Sequence, residues 1–200
     1  MTTKKPSILI FVKNAVKGRV KTRLAATVGP DRALQIYLAL LKHTRQIVLP
    51  LAADRHLFYS DQIDRADDWP ETHFHKHLQQ GNGLGVRMQQ AFEKIFQINE
   101  PVLIIGSDCA SLTTDIIQTA FERLEEYPFV IGPATDGGYY LLGMQRMSPS
   151  LFEGIAWSTD KVLEQSLAAI QALNQAYFLL PELSDIDYEE DWEQFGWKLE

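Results

Sequence analysis

Apolar residues recur along the chain in two periods that alternate. Residues 7–13 carry the unbroken apolar run Ile8-Leu9-Ile10-Phe11-Val12, the mark of a strand buried on both faces. A cation-rich loop over 14–22 follows. Gly29-Pro30 opens a helix, proline suiting its first turn, with an apolar stripe of Ala33, Leu34, Tyr37, Leu38, Leu41 and Val48. Residues 56–60 and 72–78 read as two further strands. Leu84, Met88, Ala91, Phe92 and Ile95 mark a second helix, and Val102-Leu103-Ile104-Ile105 another strand buried on both faces. A third helix starts near Asp115, capped by Thr113 or Thr114, with Ile116, Ile117, Ala120, Phe121 and Leu124 on one face. Residues 129–132 and 139–144 are strands around a glycine turn, and Thr159 caps a fourth helix carrying Val162, Leu163, Leu167 and Ile170. Such alternation predicts a three-layer α/β/α fold with a mostly parallel, mixed sheet covered on both faces. No linker, repeat or low-complexity segment interrupts it, so residues 1–200 read as one domain.

Composition narrows the class. Hydrophobic content of 46% and charged content of 22% are ordinary globular values. The single cysteine excludes an internal disulfide framework and suits a reducing cytosol. The N-terminal apolar run is too short for a signal-peptide core or a membrane span, so a soluble, cytoplasmic protein without a membrane partner is expected. A net charge of -7 argues against a general nucleic-acid surface. The charge is unevenly spread. Residues 1–23 hold seven cations (Lys4, Lys5, Lys13, Lys17, Arg19, Lys21, Arg23) and no acid, whereas the last nineteen residues hold eight acids, Glu182 through Glu200, against Lys198. A basic loop and an acidic end can supply phosphate donors and metal ligands; a solvated arm and tail would look the same.

The candidate chemistry lies at strand ends. In an open α/β sheet, ligands sit outside the carboxyl ends of the strands. Asp108 is delivered there by Val102–Ile105 and Gly106-Ser107, and a short carboxylate in that position calls for a cation or several donors. A divalent ion bridging to phosphate oxygens meets that need. The first loop, with Lys13, Lys17, Gly18, Arg19, Lys21 and Arg23, lacks the Walker and dinucleotide glycine spacings but can clamp a di- or triphosphate. Gln79-Gln80-Gly81-Asn82-Gly83-Leu84-Gly85 is a glycine-spaced turn before a helix, whose exposed amides Gln80 and Asn82 could read a nucleobase edge. Asp136-Gly137-Gly138 follows an apolar strand, so Asp136 should share a sheet end with Asp108 and could orient or deprotonate an acceptor hydroxyl. In Asp185-Ile186-Asp187 the two acids alternate on an extended segment and can face a metal together, with Asp187 the second ligand and 189–191 helix-start acids. His73, His75 and His77 fall on one face of a strand, a pattern that more often lines solvent than binds zinc. Cys109 reads as a packed thiol, and Trp157 as either a sugar-stacking or a core residue.

Taken in order, Lys21-Thr22-Arg23-Leu24-Ala25, Gly83-Leu84-Gly85-Val86-Arg87-Met88, Gly106-Ser107-Asp108-Cys109, the run 132–143, Trp157-Ser158-Thr159 and Asp185-Ile186-Asp187 resemble a known family. It is a bacterial family of GT-A-fold glycosyltransferases, often described as of the arsenosugar-biosynthesis type. These belong to the nucleotide-diphospho-sugar transferase superfamily and are related to phospholactate guanylyltransferases. The resemblance covers nearly the whole chain and implies a GT-A fold. It implies that Asp108 and Asp187 hold Mg²⁺ or Mn²⁺ and that Lys13, Gly18, Arg19, Lys21 and Arg23 meet phosphates. Gln80, Gly81, Asn82, Gly83 and Arg87 would hold the base, and Asp136, Gly137, Gly138 and Trp157 would border the sugar or the acceptor. Two positions depart from the pattern. Ala110 stands where proline is usual, and Gly106 stands where many metal-dependent glycosyltransferases carry the first acid of an Asp-x-Asp pair. The expected function is divalent-metal-dependent transfer of a sugar from a nucleotide-diphospho-sugar to a small-molecule acceptor, with Lys21 and Asp136 catalytic. The alternative is a nucleotidyltransferase joining an NTP to a phosphorylated small molecule with pyrophosphate release, which the lone Asp108 suits. A third class, a nucleotide-binding protein without turnover, would share the fold.

Overall fold

The computed structural model describes residues 5–199, so Lys4 of the basic arm and Glu200 of the acidic end lie outside the described residues. The elements, in chain order, are β1 (Ser7–Val12), α1 (Thr22–Val28), α2 (Pro30–Val48), β2 (Asp54–Tyr59), β3 (His75–Leu78), α3 (Leu84–Phe96), β4 (Val102–Ile105), α4 (Thr114–Arg123), β5 (Phe129–Pro133), β6 (Tyr139–Met144), a 3₁₀ turn (Pro149–Phe152), α5 (Val162–Ala172), β7 (Tyr177–Leu179) and α6 (Glu189–Phe195). The strands form one seven-stranded sheet in the order β3-β2-β1-β4-β6-β5-β7. All neighbours are parallel except β6, which runs antiparallel to both β4 and β5. β6 therefore returns the chain between two parallel strands, leaving the carboxyl ends of β1, β4 and β5 on one edge. This is the predicted mixed, mostly parallel α/β fold.

The contiguous apolar runs of β1 and β4 are explained by burial from both sides. Ile8, Ile10, Leu103, Ile105 and Val130 face one core with Ile117 and Ala120 of α4 and Leu124 at its C-cap. Leu9, Val102, Ile104, Ile131 and Leu142 face the other, against Met88, Ala91, Phe92 and Ile95 of α3 and Ile170 of α5. A third, smaller cluster of Leu24, Ala33, Ile36, Leu40, Ala110 and Ile186 joins α1 and α2 to the acidic segment. Thr113 caps α4, accepting the Ile116 amide at 3.3 Å, so Asp108 is free of that task. Among the described residues no helix is long and apolar enough to cross a membrane.

Four sequence expectations are corrected. α2 buries Ala33, Ile36, Tyr37, Leu40, Thr44 and Val48, while Leu38 is exposed. Apolar residues surround most of that helix, so two stripes fit its period and packing selects between them. Thr159 does not cap α5: its hydroxyl bonds Ala156 O and the Lys161 amide, and Lys161 holds the cap position. His73 lies in a turn before β3, which starts only at His75. His75 and His77 do not simply line solvent, because both rings stack on the buried His56 of β2.

That histidine stack forms a hydrogen-bond thread with fixed polarity. Lys94 Nζ lies 3.0 Å from His77 Nδ1, and an ammonium only donates, so His77 Nδ1 accepts. His77 Nε2–H then donates to His56 Nδ1 at 3.1 Å, leaving His56 Nε2–H for the Ser7 hydroxyl at 3.5 Å. Burial, then the neighbouring His77 and His75, push His56 down to about 3, partly offset by Asp54; burial and Lys94 push His77 down to about 4. Both rings are neutral in the folded chain but take up protons near pH 6.5 once unfolded. The contribution of these two rings is therefore complete above pH 6.5 and falls as pH drops from there toward 4 and 3. From His56 alone, stability at pH 5.0 should be lower than at pH 7.5 by about 1–2 kcal/mol, read as the difference between wild type and His56→Gln in urea unfolding at the two pH values. His56→Gln should flatten that dependence, and an unchanged slope in the variant would refute the assignment.

Candidate active site

Three segments meet at the carboxyl ends of β1 and β4. The first is the loop after β1. Its cations Lys13, Lys17 and Arg19 are exposed, Gly18 takes φ +78°, and Lys17 pairs with Asp31 at 2.6 Å. Buried Val20 anchors the loop, and the backbone then turns through Lys21, which caps α1 in the left-handed conformation (φ 47°, ψ 49°). Tyr37 of α2 braces the start of the loop: its hydroxyl accepts the Lys13 amide at 2.8 Å and donates to Lys13 O at 2.9 Å. The second segment is Gly106-Ser107-Asp108. The third is 183–187, stitched to the sheet edge by Leu183 N–H to Pro133 O (3.1 Å), Thr135 N–H to Leu183 O (3.0 Å) and Ile186 N–H to Asp108 O (2.9 Å). Ile186 is fully buried, so the acids on either side of it are turned toward Asp108.

Lys21 and the acids meet directly. Lys21 Nζ is 2.8 Å from Asp108 Oδ1 and 3.7 Å from Asp187 Oδ1, and its side chain is only 5% exposed. Arg23, largely exposed, takes the other Asp187 oxygen at 2.9 Å. Asp185, which the alternation of 185–187 pairs with Asp187 facing a metal, is a half-buried member of the group. Burial first, then the charge of Asp108, push its carboxyl up to about 7, with Lys21 opposing and Asp136 and Asp187 adding to the rise. Alternation along 185–187 is the signal by which sequence can find it. Asp136 stands at the end of β5 on the same sheet edge, exposed, its Oδ1 accepting the Gly138 amide at 2.8 Å.

The glycine turn lies at the end of β3. Gly81 and Gly83 have φ of +104° and +86°, and Gln80 and Asn82 are exposed. The adjoining side chains build the turn. Gln79 Nε2 donates to Val12 O (3.2 Å) and Phe58 O (2.9 Å), tying the ends of β1 and β2, and Arg87 Nε donates to Gly81 O at 3.1 Å. Trp157 packs between α3 and the 3₁₀ turn, stacked on Phe152 at 6.3 Å and pressed against Gly85, where a Cβ would fall 2.0 Å from its indole nitrogen. Its place is thus a packed one. Cys109 is buried, and burial raises its thiol to about 12, which fits an inert packed group.

The donor set bears on a divalent ion. Among the described residues no three acids, histidines or cysteines stand close enough to hold a metal by themselves. Asp108 and Asp187 nevertheless offer oxygens to one shared cation, Lys21 Nζ. That is the pattern for Mg²⁺ or Mn²⁺, which take one or two carboxylates and complete their shell with phosphate oxygens and water. The residues fit such an ion.

The sequence model of a family described as uncharacterized proteins conserved in bacteria (DUF2064) matches residues 43–159. No curated protein matches the chain. Among solved structures, a protein from Desulfovibrio desulfuricans G20, provisionally described as a nucleotide-diphospho-sugar transferase, is 33% identical with a TM-score of 0.85, over 93% of this chain and 84% of that one. The inositol-1-phosphate CTP transferase of T. maritima is 13% identical with a TM-score of 0.61, over 92% of this chain and 90% of that one. Rv0371c of Mycobacterium tuberculosis H37Rv, solved in complex with manganese, is 12% identical with a TM-score of 0.56, over 97% of this chain and 98% of that one. The last two share the fold.

Proposed function

The chain belongs to the DUF2064 family, and from the site at the sheet edge we propose that it is a metal-assisted transferase of an activated nucleotide, moving a sugar from a nucleotide-diphospho-sugar to a small-molecule acceptor. The observation that carries the reading is the facing of Asp108 and Asp187 with buried Lys21, where opposite charges meet at the carboxyl ends of β1 and β4. The D. desulfuricans relative supports the substrate class. Asp108 and Asp187 would hold the divalent ion, which when bound would neutralise a diphosphate leaving group. Lys21 and Arg23 bind phosphate oxygens, Arg23 with two donors suited to a bidentate contact. Lys13, Gly18 and Arg19 border the same phosphates, and 80–83, propped by Arg87, receive the base. Asp136 orients the acceptor hydroxyl and accepts its proton, beside Gly137 and Gly138.

A second reading is nucleotidyl transfer, in which a phosphorylated acceptor attacks an NTP and pyrophosphate leaves. It is favoured by one observation: Asp108 stands without an acid two residues earlier, Gly106 holding that place. Thermal shifts with NTPs, NDPs and nucleotide-sugars, each with and without Mn²⁺, separate the two. A ligand at about 100 times its Kd adds about 2.7 kcal/mol to stability. A Mn²⁺-dependent shift from a nucleotide-sugar is expected; a shift from NTPs alone selects nucleotidyl transfer, and no shift from any nucleotide overturns both.

A further inference from the structure

The feature left unexplained by phosphate binding is that Lys21 pairs with two acids of its own chain. A non-glycine residue in the left-handed region is strained, and such strain persists only where the surroundings impose it. Here the strained backbone buries the side chain and aims its ammonium between Asp108 and Asp187, the two carboxylates nominated for the metal. Arg23 holds the remaining Asp187 oxygen. Asp108 Oδ1 and both oxygens of Asp187 thus face an internal cation, and the three other cations of the loop, Lys13, Lys17 and Arg19, are exposed.

We propose that Lys21 is a resident counter-ion that occupies the cation position between Asp108 and Asp187, so that a divalent ion enters only when incoming phosphates draw the ammonium away. This inference rests on the reading of Asp108 and Asp187 as the metal-holding pair and concerns how that site is regulated. Two cations cannot share the space between two carboxylates without repelling each other. A polyphosphate resolves the conflict, because it offers Lys21 a new anion and brings further oxygens for the divalent ion. The order of loading follows: polyphosphate and metal arrive together, and metal alone binds poorly. Lys21 acts here as a positioning residue, since it sets where and when the ion binds.

The test reads metal binding without turnover. Mn²⁺ is titrated into the full chain and free Mn²⁺ is followed by electron paramagnetic resonance; with inorganic tripolyphosphate, which itself chelates Mn²⁺, protein-bound Mn²⁺ is counted by ultrafiltration against the same solution without protein. Wild type should bind Mn²⁺ weakly alone and more tightly with tripolyphosphate. Lys21→Met, which keeps the length and loses the charge, should bind Mn²⁺ alone about tenfold more tightly. Lys21→Arg should behave as wild type. Adding Asp108→Asn to Lys21→Met should abolish the gain. A melting curve for each variant confirms folding. Equal or weaker Mn²⁺ binding by folded Lys21→Met overturns the inference, as does a gain that survives Asp108→Asn. Because tripolyphosphate carries no base or sugar, failure of every nucleotide to bind would sink the functional reading while this result stood.

Discussion

Asp108→Asn is expected to fold and to lose about a thousandfold in kcat, the scale set by removing charge stabilisation at a reacting centre. The two halves of that expectation have separate causes. The Asp108 side chain is half-exposed at 41% and asparagine keeps a carbonyl oxygen to accept from Lys21. The structural cost is thereby limited to about 1 kcal/mol, the value of one hydrogen bond. The functional cost is larger because the amide carries no charge. With one of the two proposed carboxylates gone, a divalent ion would be held by Asp187 and phosphate oxygens alone. Steady-state rates with the nucleotide donor that gives a thermal shift, beside a melting curve of the same preparation, check both halves. Retention of more than about a tenth of the wild-type rate would remove Asp108 from the metal-holding role.

Ile186→Ala should have a large effect on stability and a second effect on the site. Ile186 is fully buried among Leu24, Ala33, Ile36, Leu40 and Ala110, so its truncation should cost about 3 kcal/mol in urea unfolding. Its amide also fixes 185–187 to Asp108 O, and the side chain is the plug that turns Asp185 and Asp187 toward the site. Loosening it should weaken Mn²⁺ binding in the molecules that remain folded. Ile170→Ala is the control: Ile170 is equally buried, on α5 in the opposite core, away from the acids. Both variants should lose similar stability, and only Ile186→Ala should lose metal affinity. Equal affinities in the two would show that the plug does not position the acids.

The parts of the fold that were legible in sequence are those that bury apolar side chains in a strong period. β1 and β4 were readable because both faces are covered, and α3 and α4 because each has one apolar stripe. α2 was misoriented because apolar residues surround it, so period alone did not choose Ile36 and Leu40 over Leu34 and Leu38. α1 and β7 were not predicted as elements. Each is short, and α1 starts from a left-handed lysine that no propensity favours. At the site, Asp108 and Asp187 were found from strand ends and alternation, and they do converge. The contact of Lys21 with both acids is not legible in the sequence. It depends on a backbone conformation and a buried side chain, neither of which a run of cations reveals. His56 escaped notice for the same reason: a lone histidine on a strand acquires meaning only from the strand beside it.

The turn at 80–83 divides labour in a way that bears on redesign. Gln79 and Arg87 supply its internal bonds, whereas among the described residues the side chains of Gln80 and Asn82 hold no partner in the fold. Scaffold and tip are separable. Exchanging the two tip side chains alters the surface offered beside the sheet edge while Gln79, Arg87 and the positive-φ glycines keep the backbone in place. A library confined to these two positions would vary recognition on a constant frame, leaving the acids and Lys21 untouched.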